Sequence, residues 1–295
     1  MNRIFLNIQR TLIATVSAIF LMGCHAHQVN LNAMPKRASV KIDAGIAYTF
    51  CDKDNERCET RVRMVSSGSG GIISHHRDVS FTLTAGHLCD HSTGDVPMPP
   101  GLNSPESINA FATWIEGHPL GFPATSVHAR WAFYIVDIDE NRYFSLPVSI
   151  SPPQDALGTQ TGVDLCLLAS QRIPAIPMRL AMVQPQPGDR VYNSAAPAGV
   201  WFKGEGGMVY EGRLSSIDNS ILNNAVYTLP AAPGSSGSII LDENFRVVGV
   251  VSAVYLRVPN YTMGPNLEQI HCFLFNAFQQ GKAMEAAPPG LSCPD

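Results

Sequence analysis

Short apolar segments bounded by turn-forming residues are the feature that most constrains how this chain can fold. Residues 79–84 alternate apolar and polar side chains, the period-two pattern of a strand with one buried face. Two apolar segments flank turn residues at 139–142 and predict a hairpin. Further segments recur at a spacing typical of barrels or sandwiches: 163–168, 190–192, 209–215, 226–229, 238–241 and 247–254. The pattern predicts an all-β protein.

Composition agrees with this fold class and argues against several functions. The 295 residues include 24 Gly and 22 Pro but are only 15% charged, as suits a chain of many strands and turns. A formal net charge of −4 without any basic run argues against nucleic-acid binding, which needs clustered positive charge. No Cys or His spacing is typical of a zinc site, and we interpret His75, His76 and His91 as surface residues. We therefore expect no metal and no cofactor.

The first 26 residues have the pattern of an export signal. Arg3 and Arg10 precede an uncharged stretch, 11–22, which is followed by a small-residue cleavage zone, Gly23-Cys24-His25-Ala26. This stretch is shorter than the ~20 apolar residues that cross a membrane as a helix. It also resembles a bacterial lipoprotein signal, in which Cys24 would be acylated, although Met22 departs from that pattern. Acylation of Cys24 with membrane anchoring and ordinary cleavage after Ala26 both stay open, so we expect a periplasmic, membrane-anchored or extracellular protein.

Cysteine usage fits an exported protein. Setting Cys24 aside from the seven cysteines leaves six, an even number that permits disulfides and allows 15 pairings. Cys51 and Cys58 flank a polar segment that is typical of a hairpin tip, and we expect them to form a local bridge. We expect Cys272 and Cys293 to form a second disulfide, which anchors the C-terminal tail. Cys166 lies within an apolar segment and is interpreted as a buried thiol.

Two regions depart from the strand pattern. Residues 88–128 are rich in Pro, Gly, Ser and Asn, which indicates an insertion with a short helix around 108–114. Residues 265–280 predict a helix, because Leu267, Ile270, Leu274 and Phe278 share one face between an initial Pro and a terminal Gly. A Pro-rich tail, 281–295, follows. The sequence pattern does not indicate which oligomeric state the protein adopts.

Three short segments carry residues suited to nucleophilic catalysis. Leu-Thr-Ala-Gly-His87 follows a predicted strand, and Gly-Val-Asp164 precedes an apolar one. A carboxylate buried there needs a positive or hydrogen-bonding partner, and an imidazole is such a partner. In Pro-Gly-Ser-Ser236-Gly-Ser the glycines permit a sharp turn that brings N–H groups together.

These segments together resemble the trypsin-like serine peptidases, in particular the bacterial Deg-type and glutamyl-endopeptidase branch. The resemblance runs from Ser67 to Gln280 and includes Ser67-Gly-Ser-Gly-Gly-Ile-Ile, Pro187-Gly-Asp-Arg-Val-Tyr and Val247-Val-Gly-Val-Val-Ser-Ala. It implies a chymotrypsin-like fold of two six-stranded antiparallel β-barrels with a C-terminal helix. After a variable segment, 27–45, the peptidase domain would occupy 46–280, with barrels at about 46–170 and 180–258.

The resemblance also implies an activity and a set of residues for it. Ser236 would be the nucleophile, His87 the general base and Asp164 the residue that orients His87. The N–H groups of Gly234 and Ser236 would form the oxyanion hole. The implied function is a serine endopeptidase that cleaves polypeptides through an acyl-enzyme. The alternative is a catalytically silent binding module of the same fold, whereas a lipase-like α/β hydrolase fails because the serine comes last in the chain.

Several aspartates are alternatives to Asp164, and one position departs from the family pattern. Asp137, Asp139 and Asp155 compete with Asp164, but the first two flank a hairpin turn and the third lies in a Pro-rich loop. Ser235 stands where digestive relatives have an Asp that pairs with a newly cut N-terminus, so we expect an oxyanion hole that forms without such cleavage.

The resemblance places the walls of the substrate pocket in two short segments. They comprise Leu229, Pro230, Ala231, Ser252, Ala253 and Val254. None is acidic, so we expect a modest apolar side chain at the P1 position of the substrate rather than Lys or Arg. His271 is a further candidate for a residue near this pocket, but its place in the predicted helix favours a structural role.

Overall fold

A computed structural model describes residues 29–90, 96, 98–151, 163–217, 224–254 and 260–293. The chain divides into two compact units, Met1–Met34 and Pro35–Asp295. The described part of the first unit contains one 3₁₀ turn, Leu31–Ala33, capped by the side chain of Asn30. All the elements described below belong to the second unit.

The first half of the second unit is a closed antiparallel barrel. Its strands lie in the order β1-β2-β3-β6-β5-β4 and are β1 Ser39–Cys51, β2 Cys58–His76, β3 Val79–Ala85, β4 Ser126–Val136, β5 Arg142–Ser151 and β6 Leu165–Gln171. Because β1 begins at Ser39, the barrel includes residues that the sequence analysis assigned to the variable segment 27–45.

The polar face of β3 is buried, which the alternation of residues 79–84 does not predict. Ser80, Thr82 and Thr84 are fully inaccessible to solvent. Two of these side chains bind backbone groups: Ser80 accepts from the N–H of Ile173, and Thr84 donates to the carbonyl of Ser69. Alternation indicated the strand correctly, but its polar face is buried as well as its apolar one.

The second half is an antiparallel sheet with its own core. Its strands lie in the order β11-β10-β7-β8-β9-β13-β12 and are β7 Arg190–Ala195, β8 Met208–Ser216, β9 Ala225–Tyr227, β10 Ile239–Leu241, β11 Val247–Val250, β12 Ala253–Val254 and β13 Thr262–Gly264. Val191, Leu214, Tyr227, Ile240 and Val248 form the centre of its core.

The all-β class and the two-barrel arrangement are confirmed, with a correction in the second half. The first barrel is closed with six strands, but the second sheet has seven strands instead of six. It also extends past the expected limit of residue 258, because β13 lies between β9 and β12.

Two α-helices occur in the described residues. α1, Pro105–Glu116, lies in the insertion and is capped by Ser104. α2, Leu267–Gln280, is capped by Asn266 and buries the expected face, which includes Ile270 and Leu274. Among the described residues, neither helix has the length and apolar character needed to cross a membrane.

The insertion has a small core of its own on the outside of the first barrel. Ile108 and Ala112 of α1 pack against Tyr48 and Phe50 of β1. Beneath them lies Arg61 of β2, whose side chain is fully buried. Its guanidinium donates to the carbonyls of Ala112, His118 and Pro119 and pairs with Glu59 and Glu116. The insertion is therefore attached to β2 through Arg61.

Three disulfides link the six cysteines that follow Cys24 in the chain. Cys51–Cys58 and Cys272–Cys293 are the two expected pairs. The interpretation of Cys166 as a free buried thiol is wrong, because it is bonded to Cys89. The two residues are far apart in the chain, but the register of β3 and β6 pairs Thr84 with Cys166 and brings the following turn close to β6.

We expect loss of the Cys89–Cys166 bridge to cost more stability than loss of a local bridge. The substitutions Cys89→Ala and Cys166→Ala together should lower the free energy of unfolding by about 4 kcal/mol. This bridge closes a loop of 77 residues in the unfolded chain, and closing a long loop costs more entropy. Urea denaturation measures the effect.

The matched control is Cys51→Ala with Cys58→Ala. That bridge spans 7 residues, and its removal should cost about 2 kcal/mol. Equal losses in the two double variants would contradict the loop-length argument.

Candidate active site

His87 lies on a tight turn at the end of the third strand. The 3₁₀ turn Gly86–Leu88 directly follows β3 and carries the imidazole. A Cβ at Gly86 would collide with the carbonyl of Ser151 and with the backbone of Asp164. Because only glycine permits this approach, the turn lies directly against the start of β6.

Asp164 lies immediately before β6, and only 5% of its side chain is exposed. Its Oδ1 accepts the backbone N–H of His87 at 2.7 Å, and its Oδ2 lies 3.0 Å from the imidazole Nδ1. The hydroxyl of Ser252 also donates to Oδ2. The φ of Asp164 is +52°, a left-handed conformation that non-glycine residues adopt at a cost and that is frequent at functional sites.

The contact with Asp164 determines how the imidazole of His87 is protonated. An ionised carboxylate only accepts hydrogen bonds, so Nδ1 carries the proton that lies between the two groups. In the neutral imidazole the other nitrogen, Nε2, is then free to accept a proton. About a third of the His87 side chain is exposed, at 37%. The imidazole is therefore oriented by Asp164 at Nδ1 while part of its side chain remains exposed to solvent.

The two side chains shift each other's pKa in opposite directions. Burial by itself would lower the pKa of His87, but the hydrogen bond and negative charge of Asp164, aided by Asp90, raise it above its ordinary value. Burial would raise the pKa of Asp164, but the hydrogen bonds and charge of His87 and the hydroxyl of Ser252 lower it. The pair thus favours an ionised carboxylate beside an imidazole that readily takes a proton.

Ser236 lies in the connection between β9 and β10, and its side chain is half-buried. Its carbonyl accepts the N–H of Ser69 from the first barrel at 2.7 Å. The following N–H, of Gly237, donates to the carbonyl of Val251 at 2.7 Å. The backbone on both sides of the serine is therefore bonded to its surroundings.

The N–H groups of Gly234 and Ser236 belong to peptide units whose carbonyls are hydrogen-bonded. The carbonyl of Pro233 accepts from the N–H of Ala198, and the carbonyl of Ser235 accepts from the N–H of Ser238. Because the N–H and C=O of a trans peptide point in opposite directions, each of the two N–H groups is directed away from that partner. No acceptor for either N–H lies among the described residues. Gly234 has a φ of +96°, which favours glycine at this turn.

Ser235 is buried and closes the turn by local bonds. Its N–H donates to the carbonyl of Ala232 at 2.8 Å, and its hydroxyl accepts the N–H of Ala232 at 3.2 Å. The turn before Ser236 is therefore held by neutral groups of its own residues.

A cavity of about 180 Å³ opens beside Ser236. Four of the six expected wall residues contribute to its lining: Ala231, Ser252, Ala253 and Val254. Leu229 is wrong as a wall residue, because it is fully buried in the core of the second sheet, and Pro230 is not among the lining residues. The described lining contains no charged side chain.

The competing aspartates do not contact His87 within the described residues. Asp137 is buried in the β4–β5 turn, where it accepts from the backbone of Asp139 and Asn141. Asp139 pairs with Arg37 at 3.1 Å. Asp155 lies outside the described residues. Asp164 is thus the aspartate that the structure brings to His87.

Three other histidines within the described residues have structural partners. His271 is buried in α2 and bonds the carbonyl of Ala181, while His75 bonds the carbonyl of Ala175 and His76 pairs with Glu285. His91 and Cys24 lie outside the described residues. In the described part of the chain no cluster of His, Cys, Asp and Glu side chains could hold a metal ion.

Sequence reasoning missed the contact of Ser252 with Asp164. Ser252 was expected only as a wall of the pocket, but its hydroxyl also binds the carboxylate from the second barrel. The available signal was a polar residue that directly follows the apolar strand at 247–251. A buried carboxylate needs donors, and this serine is one of them.

Comparison with known proteins agrees with this geometry. A sequence model of the family described as "Trypsin-like peptidase domain" matches residues 68–250. The serine endoprotease from Yersinia pestis is similar in structure, with a TM-score of 0.51 and 12% identity over 84% of this chain and 65% of that one. An HtrA-type protease solved with a tripeptide gives 0.50 and 14% over 84% and 62%.

At these identities the likeness to the two proteases is one of fold. This chain spans less than two thirds of the length of either of them. A search of curated proteins finds no match.

We expect the substitution Asp164→Asn to lower the pKa of His87. The carboxylate stabilises the imidazolium, so its removal leaves burial as the main influence, and burial favours the neutral ring. NMR titration of the imidazole protons should show a midpoint above the ordinary 6.5 in the unmodified protein and a lower one in the variant. The control is Asp137→Asn, which alters another buried carboxylate and should leave the His87 midpoint unchanged. An unchanged midpoint in Asp164→Asn would contradict the coupling.

Proposed function

Since the chain belongs to the family of trypsin-like peptidases, we propose that it is a serine endopeptidase with His87, Asp164 and Ser236 as its catalytic triad. The observation that carries this proposal is the buried contact of Asp164 with the imidazole of His87. A carboxylate on Nδ1 leaves Nε2 free as the base, which is the arrangement that activates a serine hydroxyl.

The proposed reaction has two halves. Ser236 Oγ attacks the carbonyl carbon of the scissile peptide bond while His87 Nε2 takes the hydroxyl proton. The C–N bond then breaks, the proton passes to the leaving amine, and an ester to Ser236 remains. Water, deprotonated by His87, attacks the ester, and the proton returns to Ser236 as the acid product leaves.

The negative charge on the carbonyl oxygen would be stabilised by the N–H groups of Gly234 and Ser236. Preorganised donors of this kind contribute ~10²–10³ each to the rate. Support comes from the hydrogen bonds of the carbonyls of Pro233 and Ser235, which fix the orientation of both peptide units, while neither N–H has an acceptor among the described residues.

We propose that this oxyanion hole forms without cleavage of the chain. In the digestive relatives an aspartate before the nucleophile pairs with a new N-terminus, and this chain has Ser235 at that position. The local bonds of Ser235 with Ala232 are the support, since they close the turn without a charged partner.

The substrate would be an extended polypeptide. β12, Ala253–Val254, is the last strand in the described sheet order and is exposed. An extended peptide can pair with such an edge through backbone hydrogen bonds. Its P1 side chain would enter the cavity lined by Ala231, Ala253 and Val254, so we propose a preference for small apolar residues.

We also propose that the first 26 residues direct export. The three disulfides are consistent with an oxidising compartment. The mass of the mature N-terminus distinguishes the two modes of processing. An acylated N-terminal Cys24 indicates a membrane-anchored lipoprotein, an N-terminus after Ala26 indicates ordinary cleavage, and retention of Met1 on exported protein would contradict the proposal.

We expect a fluorophosphonate probe to label the protein on Ser236. Labelling should be lost in Ser236→Ala and kept in the control Ser215→Ala, which alters an exposed serine on β8 of the same sheet. Absence of labelling in the unmodified protein would overturn the peptidase and favour the silent binding module. The protein used in this assay should carry a blocked extension at its N-terminus. Labelling that appears only after the extension is trimmed would overturn the proposal on the oxyanion hole but not the peptidase itself.

Peptidyl phosphonates that differ at P1 test the pocket in the same assay. We expect inactivation to be fastest with Ala or Val at P1, slower with Phe and slowest with Arg, because the described cavity is small and has no acidic residue. Faster inactivation by the Arg probe would contradict the proposed preference.

A further inference from the structure

Ser69 is a buried serine of the first barrel whose hydroxyl lies between two segments of the second. It is on β2 and is fully inaccessible to solvent. Its Oγ donates to the carbonyl of Gly234 at 2.8 Å and accepts the N–H of Ala196 at 2.9 Å. The hydroxyl thus joins the loop before the nucleophile to the end of β7.

The backbone of Ser69 adds two further bonds. Its N–H donates to the carbonyl of Ser236 at 2.7 Å. Its carbonyl accepts from the hydroxyl of Thr84 at 2.6 Å, on the strand that leads to His87. One residue of the first barrel is therefore bonded to both ends of the Gly234–Ser236 segment and to the strand that carries the base.

We propose, on the basis of the proposed peptidase function, that Ser69 is a positioning residue for the oxyanion hole. The carbonyl of Gly234 lies between the two N–H groups that would form the hole, in the peptide unit that joins Gly234 to Ser235. Holding that carbonyl toward the first barrel limits rotation of the peptide units on either side. The Ser69 hydroxyl thus fixes the direction of both N–H groups without touching the substrate.

Burial makes this hydrogen bond costly to lose. Without the Ser69 hydroxyl, the carbonyl of Gly234 and the N–H of Ala196 would both be left without a partner in a site closed to water. The loop would rotate to satisfy them. Because the reacting oxygen gains its charge only in the transition state, misdirected donors should slow the chemical step and leave ground-state binding of substrate intact.

The experiment compares Ser69→Ala with Ser74→Ala. Ser74 lies on the same strand, is buried, and donates its hydroxyl to the carbonyl of Ala286, away from the nucleophile loop. We expect Ser69→Ala to lower kcat about 10- to 100-fold with KM unchanged, and Ser74→Ala to leave kcat unchanged. Ser69→Thr retains the hydroxyl and should recover most of kcat.

Hydrogen exchange of the segment 232–238 gives a readout that does not need activity. We expect faster exchange there in Ser69→Ala, and no change in Ser74→Ala. An unmodified protein that fails to react with the fluorophosphonate would overturn the peptidase, while the exchange data would still decide whether Ser69 holds the loop. Ser69→Ala with unchanged kcat and unchanged exchange would overturn the positioning role, as would an equal loss of kcat in both alanine variants.

Discussion

A carboxylate removed from water is the constraint on which the arrangement of this molecule depends. Asp164 is almost completely buried, and an ionised group in such a place is tolerated only when donors surround it. The donors come from different parts of the chain: the backbone and ring of His87 from the first barrel, and the hydroxyl of Ser252 from the second. Satisfying one charge therefore requires the turn after β3, the start of β6 and the connection between β11 and β12 to meet at one point.

Other bonds also join the two halves. Ser69 and Ser236 are joined through their backbones, and the indole of Trp201 donates to the carbonyl of Asp137 at 2.9 Å. The second sheet has its own apolar core. The polar contacts hold the Gly234–Ser236 segment of that half against the first barrel, which carries the pair of His87 and Asp164.

Much of the fold and of the site could be predicted from local pattern. Alternation and turn residues identified most strands, and the motifs drew attention to His87 and Asp164, which the structure brings into contact, and to Ser236, which borders the small cavity. The reason is that these signals lie within a few consecutive residues. Burial of an aspartate at the start of an apolar strand was itself an argument for an imidazole partner, and the 3.0 Å contact agrees with it.

What could not be predicted depends on residues distant in the chain. In the insertion only a short helix was predicted, because its attachment to the barrel depends on Arg61, which lies 51 residues before Ala112 and whose surroundings no local pattern reveals. Cys166 looked like a thiol because its partner is brought to it only by the register of β3 and β6. Leu229 and Ala231 are neighbours in sequence, but one faces the core and the other the cavity, which depends on the path of the backbone.

The position of the Cys89–Cys166 bridge has a consequence for cleavage of the backbone. The bridge joins residues two places beyond His87 and two places beyond Asp164, and residues 90–128 of the insertion lie between them. A cut in the backbone between residues 90 and 128 would divide the chain into two fragments, with the histidine on one and the aspartate on the other. The disulfide would keep those fragments linked, so His87 and Asp164 would remain in one molecule after such a cut.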